Sequence, residues 1–151
     1  MADVRRITYA TDFSPASLAA FRPALDLARV TGSELTILHV LPSPVTLFID
    51  GYVSQEIWDQ IDASQRAQAA QEMDRLVKQA VDAGVRTTTT IVNGGIPDRE
   101  IVRVAEESKT DMLVLGTHGR TGVARLFLGS VAAGVVATAS CPVLTVRAKA
   151  A

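Results

Sequence analysis

The sequence has 151 residues, 48% of them apolar, which suffices for the core of a single domain over residues 1–151 and leaves little room for a second. Its formal net charge of -1, with basic residues scattered along the chain, gives no electrostatic footprint for nucleic acid, and no run approaches the roughly eighteen apolar residues of a membrane span. The start of the chain lacks an apolar signal core, so a cytoplasmic protein is expected, and the single cysteine, Cys141, excludes an internal disulfide and a cysteine-built metal site.

Residues 4–10, VRRITYA, are rich in β-formers and read as a first strand ending at Thr11-Asp12. Ser14-Pro15 then supplies an N-cap followed by proline at the first helical position. Leu18, Phe21, Leu25 and Ala28 recur at spacings of three and four, on one face of a helix that stops near Gly32. Pro23 falls inside that helix, where it removes a hydrogen bond, so a bend is expected there. Residues 35–41, LTILHVL, form a nearly continuous apolar run, as in a strand covered on both faces of a parallel sheet. His39 within it reads as a satisfied core or sheet-edge residue rather than a catalyst. Residues 42–53, PSPVTLFIDGYV, read either as a flap over a neighbouring site or as an ordinary long loop.

A helix is expected over 55–83, stopped by Gly84, with Ile57, Ile61, Met73, Leu76, Val77 and Ala80 facing inward and 64–71 exposed. Trp58 and Tyr52 read as packing under residues 42–53, with stacking on a base as the alternative. Residues 85–92, VRTTTTIV, are a third strand; Asn93-Gly94-Gly95 is a turn, and Pro97 opens a helix that buries Ile101, Val104 and Ala105. Residues 112–115 form a fourth strand, Val131, Val135 and Val136 belong to a last helix, and 142–146, PVLTV, form a fifth strand. This alternation predicts a three-layer, doubly wound α/β domain with a five-stranded parallel sheet.

The stretch 111–132, DMLVLGTHGRTGVARLFLGSVA, runs from an apolar strand through a loop with Gly116, Gly119 and Gly122 into a helix opening at Gly129-Ser130. Glycines let backbone amides approach a ligand, and a helix start offers unpaired N–H groups and the positive end of the dipole, so the stretch reads as a phosphate cradle. The alternative is a structural turn and cap, with Ser130 bonding only its own helix. No G-x4-G-K-[ST] occurs, the first strand is not followed by G-x-G-x-x-G, and none of the three lysines lies in the loop. A P-loop NTPase and a conventional dehydrogenase are thereby disfavoured. Arg120 and Arg125 read either as phosphate contacts or as solvated loop arginines.

With strand order 3-2-1-4-5, the switch point falls between strands 1 and 4, where Thr11-Asp12 meets Gly116 and His39-Val40 lies one strand away. There Asp12 is placed to accept from ribose hydroxyls or to help hold a divalent ion, since Ser14 already caps the first helix. Val40 is placed to offer backbone groups and an apolar wall to a purine.

ATDFSPAS after strand 1, LTILHV in strand 2, Gly116-x2-Gly119-x9-Gly129-Ser130 and the closing Cys141-Pro142-Val143-Leu144 together resemble the universal stress protein family, whose ATP-binding branch is marked by that glycine motif. The resemblance covers essentially the whole chain. It implies a Rossmann-like fold that binds ATP, with or without magnesium, and sometimes AMP or other adenine nucleotides. Asp12, after Thr11, would lie near the ribose and Val40 by the adenine. Gly116, His118, Gly119, Gly129, Ser130 and Val131 would surround ribose and phosphates. The family usually forms a homodimer through the fifth strand. Residues 142–147, PVLTVR, would here be the exposed sheet edge that a partner covers. Departures from the family are Pro23 and the individual segment 42–53.

Without a loop lysine or an obvious base, the expectation is a regulatory binding protein rather than an enzyme. The alternatives are a slow adenine-nucleotide hydrolase, with Asp12 holding magnesium and Arg120 or His118 assisting, and a nucleotide-free interaction module.

Overall fold

The five strands expected from the sequence are present as β1 (Arg6–Ala10), β2 (Glu34–Leu41), β3 (Thr87–Asn93), β4 (Met112–Gly116) and β5 (Val143–Val146). They come from a computed structural model that describes residues 3–42, 54–118 and 128–149. All four strand pairings are parallel, in the order β3-β2-β1-β4-β5. The helices among the described residues are α1 (Pro15–Leu18), α2 (Phe21–Thr31), α3 (Gln55–Asp82), α4 (Pro97–Glu107) and α5 (Ser130–Thr138). None of them is long and apolar enough to cross a membrane.

Alternation along the strands divides the core between two faces. Ile7 and Tyr9 of β1, with Leu35 and Ile37 of β2, pack under Phe21, Ala24, Leu25 and Ala28 of α2 and Met73, Leu76 and Ala80 of α3. Ala10, Leu38, Leu113 and Leu115 turn the other way, against Ile101, Val104 and Ala105 of α4 and Ala132 and Val135 of α5. Both faces of the central strands are therefore buried, which is why β2 and β4 read as continuous apolar runs. The fold is the expected three-layer, doubly wound α/β arrangement.

Where one bent helix is expected over residues 14–32, the structure has two. α1 ends at Leu18 and α2 starts at Phe21, so Pro23 is the third residue of α2. A helix leaves its first N–H groups unbonded, so the proline removes nothing the ladder uses. The first bond of α2 runs from Ala24 N–H to Ala20 O at 3.1 Å.

Ile57, expected inside, is 48% exposed, and in the last helix Val131 and Val136 are 36% and 46% exposed. α3 has 28 residues against the eight of β2. That is about 42 Å of helix over about 26 Å of strand, so its N-terminal half overhangs the sheet, and its fully buried residues begin at Ala69. In α5 the inward pair is Ala132 and Val135, three apart, which turns Val131 and Val136 to the flanks.

Candidate functional site

The carboxyl ends of β1, β2 and β4 meet where Ala10 pairs with Leu38 on one side and Leu115 on the other. The chain leaves β1 towards β2 and later returns to the opposite side of β1 as β4, so the loops diverge and a cleft opens between them. Its volume is about 300 Å³. Thr11 and Asp12 reach it from β1, Val40 from β2, Gly116 and His118 from β4, and Gly129, Ser130 and Val131 from the start of α5. Pro97 and Ile101 of α4 add an apolar floor. Gly119 and Arg120 lie outside the described residues, as do Gly122, Arg125, Tyr52 and the segment 43–53.

The turn after β1 is held by a closed set of hydrogen bonds. Thr11 Oγ1 accepts from Ser17 Oγ at 2.6 Å and from Phe13 N–H at 3.0 Å, while Asp12 N–H donates to Ser17 Oγ at 3.1 Å. Ser14 N–H donates to Asp12 Oδ1 at 2.9 Å, and Ser14 Oγ caps α1 by accepting from Ser17 N–H at 3.2 Å. Ser14 is thus the expected cap, and Asp12 also supports the turn that carries it. Thr11 lines the cleft, but its hydroxyl serves the turn. Beneath it, burial raises the Tyr9 phenol above its ordinary pKa, against the lowering effect of bonds with Thr11 and Ser17; the hydroxyl stays protonated and donates to Ser17 O at 2.8 Å.

His39 is buried, and its Nδ1 lies 2.7 Å from Thr11 O. A carbonyl only accepts, so Nδ1 carries the proton. The satisfied histidine expected from the sequence is what the structure contains. Its ring packs on Phe13, with centroids 4.5 Å apart and planes 37° apart. Phe13 has φ of 62°, a left-handed conformation that an aromatic residue rarely adopts. Sequence reasoning missed this residue, since only a Gly or Asn would have signalled such a backbone.

Gly116 lines the cleft and also has a packing reason that the sequence did not announce. A Cβ there would stand 2.7 Å from Ala16 O and 3.1 Å from Ser17 Cα, so close packing of β4 on the main chain of α1 requires the glycine. Beyond it, Thr117 N–H donates to Val146 O at 3.0 Å, and Gly129 N–H donates to Thr117 O at 2.6 Å. This bond seats the start of α5 beside the end of β4. Gly129 is the N-cap and has no side chain to cap the helix, so it offers the first-turn amides beside the cleft no side-chain acceptor of its own. His118 Nδ1 lies 3.0 Å from Thr117 Oγ1, and its Nε2 is buried with no hydrogen-bond partner among the described residues.

At the other end of the domain, a smaller cavity of about 200 Å³ lies between the ends of α4 and α5, lined in part by Lys109, Thr110 and Cys141. Burial raises the Cys141 thiol above its ordinary pKa, which keeps it protonated and a poor nucleophile.

The family model described as the universal stress protein family matches residues 3–147. The chain belongs to the universal stress protein family. Universal stress protein MJ0531 of Methanocaldococcus jannaschii is 34% identical over 143 residues, which cover 95% of this chain and 82% of MJ0531. Among solved structures, MJ0577, the subject of a structure-based assignment of biochemical function, matches with a TM-score of 0.80 at 28% identity, over 99% of this chain and all, 100%, of MJ0577. A universal stress protein in complex with cAMP matches with a TM-score of 0.72 at 25% identity, over 98% of this chain and 100% of that one. Among the described residues of this universal stress protein, no group of three His, Cys, Asp or Glu side chains is arranged to hold a metal ion.

Proposed function

We propose that this protein is an ATP-binding regulatory protein of the stress response, holding the nucleoside between the ends of β1 and β2 and the phosphates at the start of α5. The observation that carries the reading is the pairing, at one cleft, of a helix start whose N-cap is a glycine with His118, whose buried Nε2 has no partner among the described residues. Both are donor or acceptor sites that a polar ligand satisfies. Asp12 at the mouth of β1 suits ribose hydroxyls, and Val40 offers main-chain polar groups beside an apolar wall. A structural relative in complex with cAMP supports an adenine nucleotide as the ligand class.

A single carboxylate does not hold magnesium by itself, since that ion keeps waters and phosphate oxygens as most of its ligands. Asp12 therefore suits an ion that arrives with the nucleotide and neutralises its phosphates. Binding without efficient turnover is the favoured reading because no lysine lines the described part of the cleft to neutralise a transferring phosphoryl group.

Calorimetric titration with ATP and magnesium tests the proposal. Saturable binding by the wild type, weakened in Gly119→Val, is the expected result; no saturable binding by the wild type sinks it. Phosphate release should stay slower than one turnover per minute, and faster release abolished by Asp12→Asn would favour the hydrolase instead. β5 is an edge strand with Leu144 38% exposed, and we assign that edge, residues 142–147, to a homodimer. A monomer mass by light scattering at micromolar concentration would contradict this assignment.

A further inference from the structure

We infer that Phe13 is a positioning residue for the nucleoside half of the cleft, acting through His39 and the Thr11–Ser14 turn; the inference rests on the nucleotide-binding reading. Phe13 does not line the cleft. It packs behind it, partly buried against the core on the α2 side of the sheet. One face of the His39 ring is covered by Phe13, and Nδ1 of that ring is tied to Thr11 O. The phenyl ring, His39 and the Thr11 carbonyl thus form one stack that sets where the main chain passes from Thr11 to Asp12. The left-handed φ of 62° at Phe13 reverses the chain within a single residue, and directly after it Ser14 N–H donates to Asp12 Oδ1 at 2.9 Å.

An ordinary turn here would use Gly or Asn, which adopt positive φ at little cost. A strained aromatic persists only where its surroundings over-determine it, and strain of this kind gathers at ligand sites. Here the surroundings are the His39 ring and the hydrogen bonds of the turn. What the ring adds beyond a glycine is therefore the fixed orientation of His39, and through Thr11 O the placement of the Asp12 carboxylate at the ribose.

Three variants separate this role from a merely structural one. Phe13→Gly accepts the backbone conformation and deletes the ring, Phe13→Tyr keeps the ring, and Phe13→Asn tolerates the turn without the stack. Each is titrated with ATP and with 2′,3′-dideoxy-ATP in the presence of magnesium, and each is melted without ligand. Loss of a charge-assisted hydrogen bond to the ribose corresponds to about tenfold in affinity, so the wild type and Phe13→Tyr should prefer ATP by about that factor. In Phe13→Gly and Phe13→Asn the preference should fall to about twofold or less on that same basis, with the folded state retained. A full preference in Phe13→Gly overturns the inference, as does loss of the preference in Phe13→Tyr.

Nuclear magnetic resonance of the His39 ring without ligand provides a reading independent of nucleotide. A slowly exchanging Nδ1 proton in the wild type and Phe13→Tyr that exchanges freely in Phe13→Gly supports the stack; unchanged exchange overturns it. If the wild type binds neither nucleotide, the nucleotide reading fails, and this spectrum still decides whether Phe13 positions His39.

Discussion

The two ends of the sheet treat their polar groups differently. At the amino end a set of buried and half-buried polar groups bond to one another or to the main chain. Thr8, 1% exposed, shares a 2.7 Å hydrogen bond with Thr110, and Thr110 a 2.9 Å bond with Ser108. Asp111 Oδ2 accepts from the main-chain N–H groups of Arg5 and Arg6, both at 2.9 Å, and Ser33 Oγ donates to Val4 O at 2.6 Å. At the carboxyl end the turn after β1 is equally well bonded, yet His118, whose buried Nε2 has no partner among the described residues, and the glycine-capped start of α5 line a cleft of about 300 Å³. The polar groups around this sheet therefore divide into those that close the fold and those left without a partner among the described residues. Satisfaction separates them more sharply than residue type does.

The largest effect expected from breaking this division is at Gly116, where the two roles meet. Its position lines the cleft, but a side chain there collides with the main chain of α1 rather than with cleft space. Gly116→Val should cost about 1–3 kcal/mol of stability through overpacking that backbone cannot relieve. Thermal unfolding checks it. An unchanged melting temperature with ATP binding lost would return Gly116 to the phosphate cradle.

A smaller and more selective effect is expected at Asp12. Asp12→Asn keeps an oxygen to accept from Ser14 N–H and deletes the charge, so the turn should hold while ATP with magnesium binds about tenfold more weakly, about 1.4 kcal/mol. Equal affinities by calorimetry would place the carboxylate outside the site. Thr8→Val makes the complementary test at the amino end. It removes one hydroxyl of a buried pair whose other member retains Ser108, so about 1 kcal/mol of stability should go, with ATP affinity within twofold of wild type. A loss of affinity that exceeds the loss of stability would mean that the two ends are coupled.

Much of this arrangement was legible in the residues. Alternating strand and helix signals gave the parallel α/β sheet, and the assumed order 3-2-1-4-5, which the structure shows, placed the switch point. Thr11, Asp12, Val40, Gly116, His118, Gly129, Ser130 and Val131 accordingly reach one cleft. What stayed illegible depends on tertiary geometry. Ala19 and Ala20 carry no helix-breaking signal, so the division of α1 from α2 was hidden and Pro23 looked like a conflict. The overhang of α3, which exposes Ile57, depends on the length of the sheet rather than on the helix's own pattern. Nothing in an Asp-Phe-Ser sequence announces a phenylalanine with positive φ, and nothing in a strand-ending glycine says whether ligand or helix demands it.

The smallest effect is expected at Cys141, where the comparison predicts an absence of chemistry. The thiol lines the amino-end cavity of about 200 Å³, and desolvation raises its pKa, against backbone hydrogen bonds involving Leu113 and Cys141 itself that lower it. At neutral pH its thiolate fraction is below that of an exposed cysteine, so iodoacetamide should alkylate the native chain more slowly than the urea-unfolded chain. The folded state holds the proton more tightly than the unfolded state. The small stability this gives is therefore complete below the ordinary thiol pKa and is lost as pH rises from that value through the folded one. Native alkylation as fast as that of the unfolded chain would show the thiolate to be stabilised after all, and the amino end would then need a site of its own.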